Sequence, residues 1–387
     1  MYLSPGVYVE EVPSGNAPIA GVSTSTAGFI GVVPDDVAMP ALPTGEKYRL
    51  AAAGAAQLVT SWAEFTRKFG TQDLGAVSGA NALAHAVRGF FANGGSRCWV
   101  ARLTSWTSPG NDDPVDAVLR ELESIDEVSL VAAPMVDVPS DRAKVIQEAV
   151  LAHCEKQQDR VAILDGPRDV EGDVTSAKLL KTRASDYGAL YFPWIDVTGS
   201  GGFAPPSGHV AGMFARVDAE RGVHKAPANE ALRGAFGVRY RVSKAIHDEL
   251  NPAGVNVIRP FGETIKVWGA RTLAGDSKPE FTYVNVRRLF CFLRESIQNG
   301  SNWVVFEPNT PDLWARLTRN IRAFLGQVWE SGALFGATAD EAFFVKCDGE
   351  SNPPELRDLG QVVTEIGVSV TKPAEFVIFR LSQRSGG

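Results

Sequence analysis

The chain has 387 residues, enough for two or three domains and for a core that needs no covalent staples. Lys and Arg total 38 against 45 Asp and Glu, a net charge of −7, which argues against a general nucleic-acid binder. With 44% hydrophobic and 21% charged residues, wholesale disorder is excluded as well.

The first segment alternates apolar and polar residues: Val7, Tyr8, Val9, Glu10, Glu11 and Val12 read as a strand. The turn-rich linker Pro13-Ser14-Gly15-Asn16-Ala17-Pro18 follows. A lone strand on a loose linker cannot satisfy its own edges, so it must add to a sheet in this chain or in a neighbour. Residues 26–33 read as a buried strand, and residues 34–56 as a loop with at most one strand. Ser61 is placed to cap a helix over 62–69 that Gly70 stops, and a second helix covers 81–92. Residues 97–103 read as a strand. Apolar runs at 128–133, 161–164 and 189–192 then alternate with helices at 140–156, which Ser140 would cap, and 174–185. Short buried strands alternating with helices predict an α/β fold, a mostly parallel sheet flanked by helices.

After the Gly/Pro loop 199–206, Ser207 would cap a helix with Val210, Met213, Phe214 and Val217 on one face. Further helices are expected at 243–250, 285–298 and 311–331, and strands at 255–258, 264–268, 342–347, 361–370 and 375–381. No apolar run approaches the roughly 20 residues of a membrane span. The N-terminus lacks the basic and apolar regions of a signal peptide. Cys98, Cys154, Cys291 and Cys347 are widely separated, form no C-x-x-C pair, and read as reduced thiols.

Catalytic motifs are scarce. There is no Walker A pattern and no G-x-G-x-x-G after a strand, and the five histidines are isolated, so no metal site is expected from them. One constellation remains. Asp137, Asp165 and Asp196 each follow a buried strand, at the sheet edge where α/β proteins bind ligands. Three carboxylates there could hold a divalent metal and support a hydrolase. The competing reading is that they start turns and cap helices.

Several longer segments carry a resemblance. They are SPGVYVEEVPSG with AGFIGVV at the start; PPSGHVAG, continuing as MFARVDAERGVHKAPAN to Asn229; LNPAGVNVIRPF; VWGARTL; YVNVRRLF; WVVFEPN; and KPAEFVIFRL near the end. Together they strongly resemble the contractile tail sheath family of phage tails and phage-tail-like injection systems. The resemblance is dense from residue 199 onward and sparser over 35–196.

The resemblance implies a structural subunit and no cofactor. Subunits would polymerise as stacked six-membered rings around an inner tube protein. Contraction would drive that tube through a target envelope. Baseplate and terminal cap proteins are the other implied partners, with no nucleic acid and no membrane insertion. It also implies assembly in the bacterial cytoplasm, a place in a phage tail or tail-like particle, and release by lysis.

Four regions are expected: an arm and linker at 1–25, an α/β domain at 26–250 with a variable outer part near 106–200, a C-terminal α+β domain at 251–370, and a second arm at 371–387. The extended N- and C-terminal β-arms would add strands to neighbouring subunits. Their candidates are Val7–Val12 at one end and Phe376, Val377, Ile378, Phe379, Arg380 and Leu381 at the other, with 362–370 a further C-terminal strand. In the helix at 311–331, Arg316, Arg319 and Arg322 lie opposite the apolar face and are candidates for an acidic tube surface; Arg287 and Arg288 are second candidates.

Overall fold

Parallel strands must be covered on both faces, and that requirement organises most of the chain. The computed structural model describes residues 18–107, 113–170, 181 and 183–376. The strands are β1 (Ala27–Val32), β2 (Ala56–Val59), β3 (Cys98–Leu103), β4 (Leu130–Ala132), β5 (Val161–Asp165), β6 (Gly188–Phe192), β7 (Ile195–Asp196), β8 (Phe203–Ala204), β9 (Glu230–Ala231), β10 (Gly237–Val238), β11 (Val255–Phe261), β12 (Thr264–Val267), β13 (Phe343–Lys346) and β14 (Glu365–Val368). The helices are α1 (Trp62–Phe69), α2 (Ala82–Asn93), α3 (Pro114–Glu123), α4 (Ser140–Gln157), α5 (Ser207–Arg221), α6 (Lys244–Leu250), α7 (Val284–Gly300), α8 (Pro311–Glu330), α9 (Ala339–Ala342) and α10 (Pro354–Asp358).

Nine strands form one sheet in the order β2-β3-β1-β4-β5-β6-β11-β12-β9. The six from β3 to β11 run parallel, while β2, β12 and β9 add antiparallel at the two sides. Alternation along β1 divides the burial: Phe29 packs with α1, α2 and α5, and Ile30 packs on the opposite face with α3 and α4. On the first face α2 and α5 touch backbone to backbone. A Cβ on Gly212 would lie 2.2 Å from the Phe90 carbonyl oxygen, and one on Gly208 would lie 2.3 Å from that of Ala86. These two positions of α5 tolerate only glycine.

The mostly parallel sheet with flanking helices is therefore as expected, with local differences. Helix α3 was not foreseen, although Asp113 accepts from Val115 N–H at 2.9 Å and Pro114 occupies the first turn, the usual opening of a helix. Ser140 and Ser207 are the first residues of their helices and make no capping bond; the preceding prolines hold the cap positions. Of the helix expected at 174–185, residues 174–180 and 182 lie outside the described residues, and 183–185 are not helical.

The chain divides into two compact units, Val22–Leu293 with the residues from Val370 on, and Arg294–Ser369 with the residues up to Gly21. The break expected at 250/251 is not where the chain divides. There β11 pairs with β6, register Val255 to Leu190, and so belongs to the large sheet. The smaller unit is built on α8 and a two-stranded antiparallel ribbon, β13–β14. Thr310 caps α8, and Leu313, Leu317, Ile321, Phe324, Leu325 and Val328 form its buried stripe, as the sequence predicts.

Candidate assembly surfaces

The arm residues fall mostly beyond view. Val7 to Val12 and Val377 to Leu381 lie outside the described residues; Phe376 is the last described residue and is exposed. The roots of both arms are described. Ile19 is buried, and it rests on Gly300 so closely that a Cβ there would meet its Cγ1 at 2.6 Å. At the other end, Glu375 accepts hydrogen bonds from Arg271, Asn251 and Tyr283.

The strand expected over 362–370 as an arm pairs within its own chain. β14 runs antiparallel to β13, with Phe343 opposite Val368 and Lys346 opposite Glu365. Phe344 lies across from Gly367 and its ring covers it; a Cβ at 367 would meet the ring at 2.1 Å. Among the described residues no further strand lies along the outer edge of β13 or of β14. A two-stranded ribbon presents unpaired backbone groups on both edges, the condition that invites strand addition.

The smaller unit also carries Val305, Phe306, Phe335, Phe344, Leu359 and Val363 as exposed large apolar residues. Phe306 is the extreme case. Its backbone is left-handed, φ 69°, and its side chain is fully exposed at 103%. For a bulky residue that conformation costs about 1–2 kcal/mol, and no burial within the chain offsets it. The loop that carries it is braced: Trp314 Nε1 donates to Asn309 Oδ1 at 2.8 Å, and Asn309 Nδ2 donates to the Gln361 carbonyl at 2.8 Å. Sequence reading passed over Phe306. The available signal was an apolar run, Trp303 to Phe306, set between two helices with no strand to pair it.

The polar face of α8 is less free than the sequence suggests. Arg316 is half-buried, lies over the Trp303 ring at 5.2 Å and pairs with Glu307 at 3.2 Å. Arg322 pairs with Asp340 at 2.8 Å. Only Arg319 of the three is exposed without an ion pair among the described residues. Surface pairs like these contribute about 0–1 kcal/mol and exchange partners readily.

Arg287 and Arg288, the second candidates, do not face outward. Both are buried. Arg287 is ion-paired with Asp186 and stacked 3.6 Å from the Phe281 ring centroid. Arg288 is held by Asp218, by the Thr24 carbonyl at 2.9 Å and by the Phe214 ring at 4.6 Å. They sit on the part of α7 that belongs to the larger unit, and burial of an arginine demands such a partner set.

The three aspartates do not form a metal site. Asp165 is buried and accepts from Ser207 N–H at 2.8 Å and Ser207 Oγ at 2.7 Å, so it holds the start of α5. Burial pushes its carboxyl up to about 7, against the opposing pull of the Ser207 bonds. Asp196 accepts from the N–H groups of Thr198, Gly199 and Gly201 at 2.9–3.0 Å and closes the glycine loop; those bonds hold it below the usual range despite its burial. Asp137 is exposed beside Arg168 at 3.3 Å, with left-handed backbone, φ 58°. Among the described residues no group of three or more His, Cys, Asp or Glu is placed to hold a metal ion. The turn-and-cap reading describes Asp165 and Asp196, while Asp137 accepts from the distant Gly79 N–H at 3.2 Å instead of capping the helix after it.

Comparison with known proteins turns on the same segments. Residues 116–273 match the phage tail sheath protein central domain, and residues 276–384 match the phage tail sheath C-terminal domain. A chain of the anti-feeding prophage baseplate, solved by cryo-EM, superposes with a TM-score of 0.79 at 30% identity over 100% of both chains. The chain belongs to the tail sheath family. A chain of the PVC sheath complex of an extracellular contractile injection system, in its contracted state, superposes with a TM-score of 0.79 at 29% identity, covering 99% of this chain and 98% of that one. A putative prophage major tail sheath protein of Pseudomonas aeruginosa (strain UCBPP-PA14) is 31% identical over 232 residues, 57% of each chain. The tail sheath protein of Burkholderia phage BcepMu is 29% identical over 50% of this chain and 42% of its own. The match thus spans about half the length of these curated sheath relatives.

Two outcomes follow for this sheath-family chain. Asp165 holds a proton in the folded state that the unfolded chain, with an ordinary carboxyl near 3.8, gives up first. Its contribution to stability is therefore complete below about pH 4 and falls as pH rises to about 7. Asp165→Asn keeps the bond from Ser207 N–H at its Oδ1 and donates from Nδ2 to a reoriented Ser207 hydroxyl, so its unfolding free energy, measured in urea from pH 4 to 8, gains on the wild type across that window. Parallel curves would contradict the assignment. Phe306→Gly removes the left-handed strain and buries nothing less, so the folded subunit loses no stability, while sheath formation seen by electron microscopy weakens. A lowered thermal midpoint with normal sheaths would show that Phe306 serves the fold instead.

Proposed function

We propose that the protein is a structural subunit of a contractile sheath in a phage tail or tail-like injection particle. Subunits stack as six-membered rings around an inner tube, with baseplate and cap proteins at the ends, and shortening of the stack drives the tube through a target envelope. The particle assembles in the bacterial cytoplasm and leaves by lysis. The observation that carries this reading is the β13–β14 ribbon, whose outer edges lack strands among the described residues, in a chain whose first segment alternates apolar and polar residues in sequence.

The arms, Val7–Val12 and Phe376–Leu381, add as strands to the ribbon edges of neighbouring subunits. A strand making about five backbone hydrogen bonds, each worth about 1 kcal/mol net, contributes on the order of 5 kcal/mol. That is modest singly. Repeated along a lattice through linkers, it holds the subunits together without fixing their angle. Energy for shortening is stored in the assembled lattice.

The face of α8 with Arg316, Arg319 and Arg322 meets an acidic tube surface. Arg319 makes the contact outright, and Arg316 and Arg322 exchange Glu307 and Asp340 for tube carboxylates, a near-balanced exchange that suits a grip which must later release.

Deleting residues 1–13 leaves a folded, soluble subunit that no longer forms long sheaths in negative stain. Normal polymerisation of the truncated chain, or its unfolding, would remove the N-terminal arm from this scheme. The triple Arg→Glu change at 316, 319 and 322 leaves thermal stability near normal and abolishes co-assembly with the tube, while empty sheath still forms. Wild-type co-assembly weakens as salt rises above physiological strength. Normal extended particles from the triple variant would place the tube contact elsewhere.

A further inference from the structure

Four of the sequence segments singled out above each send one side chain to the same place. Asn251 comes from LNPAG, Arg271 from VWGARTL, Tyr283 from YVNV and Glu375 from KPAEF. The Glu375 carboxylate is the hub. Its Oε1 accepts from Arg271 Nε at 2.8 Å and from Asn251 Nδ2 at 2.8 Å. Its Oε2 accepts from Arg271 Nη2 at 2.7 Å and from the Tyr283 hydroxyl at 2.9 Å. Four donors from three segments thus converge on two oxygens, with Arg271 presenting a two-pronged fork.

The receptor side is rigid and mostly dry. The Arg271 side chain is 7% exposed and that of Glu375 18%. The fully buried Asn256 side chain accepts from Arg271 N–H at 2.7 Å and donates to the Arg271 carbonyl at 2.8 Å. Arg271 also bridges to Tyr283 across a short β-contact, and its remaining prong binds Asp276 at 2.8 Å. Burial raises the Glu375 carboxyl, but the bonds from Arg271, Asn251 and Tyr283 outweigh it and hold the group ionised, below its ordinary range.

The ligand side is the opposite. Residues 370–376 have no helix or strand beyond a bridge at Val370, and Phe376, immediately after the hub, is exposed. A four-donor pocket is more than a surface turn needs to stay folded. It is what a fixed point under load needs.

We propose that Asn251, Arg271 and Tyr283 form a clasp for Glu375 that anchors the root of the C-terminal arm to the larger unit, so that force on an arm docked in a neighbour passes into the large sheet through this carboxylate. The inference rests on the arm reading above, and Glu375 is a positioning residue: it touches no neighbour, and it sets where the arm leaves. Glutamate is required by reach and by charge. Aspartate is a methylene short, and glutamine offers one acceptor oxygen where the pocket presents donors to two.

The test uses the full chain, with a nitroxide attached at position 376 through Phe376→Cys in a Cys347→Ser background. The other three cysteines are buried. With Glu375 intact the label is restrained. Glu375→Gln lowers the thermal midpoint, since buried Arg271 loses its two-pronged carboxylate, frees the label several-fold in its rotational rate, and shortens the sheaths that form in negative stain several-fold. Deleting residues 377–387 is the control for the arm itself and abolishes long sheaths. If that deletion assembles normally, the arm reading fails and the clasp with it. If the deletion abolishes sheaths while Glu375→Gln forms them at full length, the arm stands and the clasp is overturned. Should Glu375→Gln fail to fold, Tyr283→Phe takes its place, removing one donor without changing the packing; full-length sheaths with a restrained label would then overturn the clasp, and a freed label with shorter sheaths would uphold it.

Discussion

A parallel sheet has no face that water can be left to cover, and most of this protein follows from that constraint. Helices on both sides must pack closely enough to exclude solvent, which brings α5 against α2 at glycine positions. The segments joining strands to helices then bury polar backbone, and arginines satisfy it. Arg102 donates to the Ala51 and Val33 carbonyls, Arg160 to those of Leu122 and Ile125, and Arg216 to those of Asn93 and Ala231. Each ties together pieces of chain far apart in sequence. Arg287 and Arg288 belong with these pins and not with any outward surface.

The smaller unit follows a different economy of contacts. Its helix α8 closes a conventional apolar stripe, but its ribbon has two strands, its exposed residues include several aromatics, and one of them stands in a strained backbone. The larger unit carries exposed apolar residues too, among them Phe236 and Trp268, but its strands are joined into one nine-stranded sheet.

The sequence was readable wherever periodicity is a local property. Burial of α8 on one face, the apolar strands β1, β3, β4, β5 and β6, and the Ser61 cap could all be taken from spacing alone, whereas β2 and the Ser243 cap were not read. Reading failed where a long-range partner decides. Arg287 and Arg288 look like surface charge in a helix, because nothing near them in sequence announces Asp186 or Asp218. For Asp165 the sequence allowed a turn or cap but could not name its partner, Ser207, far along the chain, which takes both its oxygens. Near residue 251 the same holds, since only the pairing of β11 with β6 shows which sheet that strand joins. Phe306 was missed because an exposed aromatic leaves no periodic trace.

The ribbon has a further meaning for the subunit before it meets a neighbour. Open strand edges next to an exposed phenylalanine are the usual beginning of uncontrolled aggregation. Here the strands are short, and Lys346 and Glu365 sit opposite one another on them. A copy docking out of register would set one of those charges against an apolar residue or against its like. Charges facing one another across so short a ribbon are a brake on indiscriminate strand pairing.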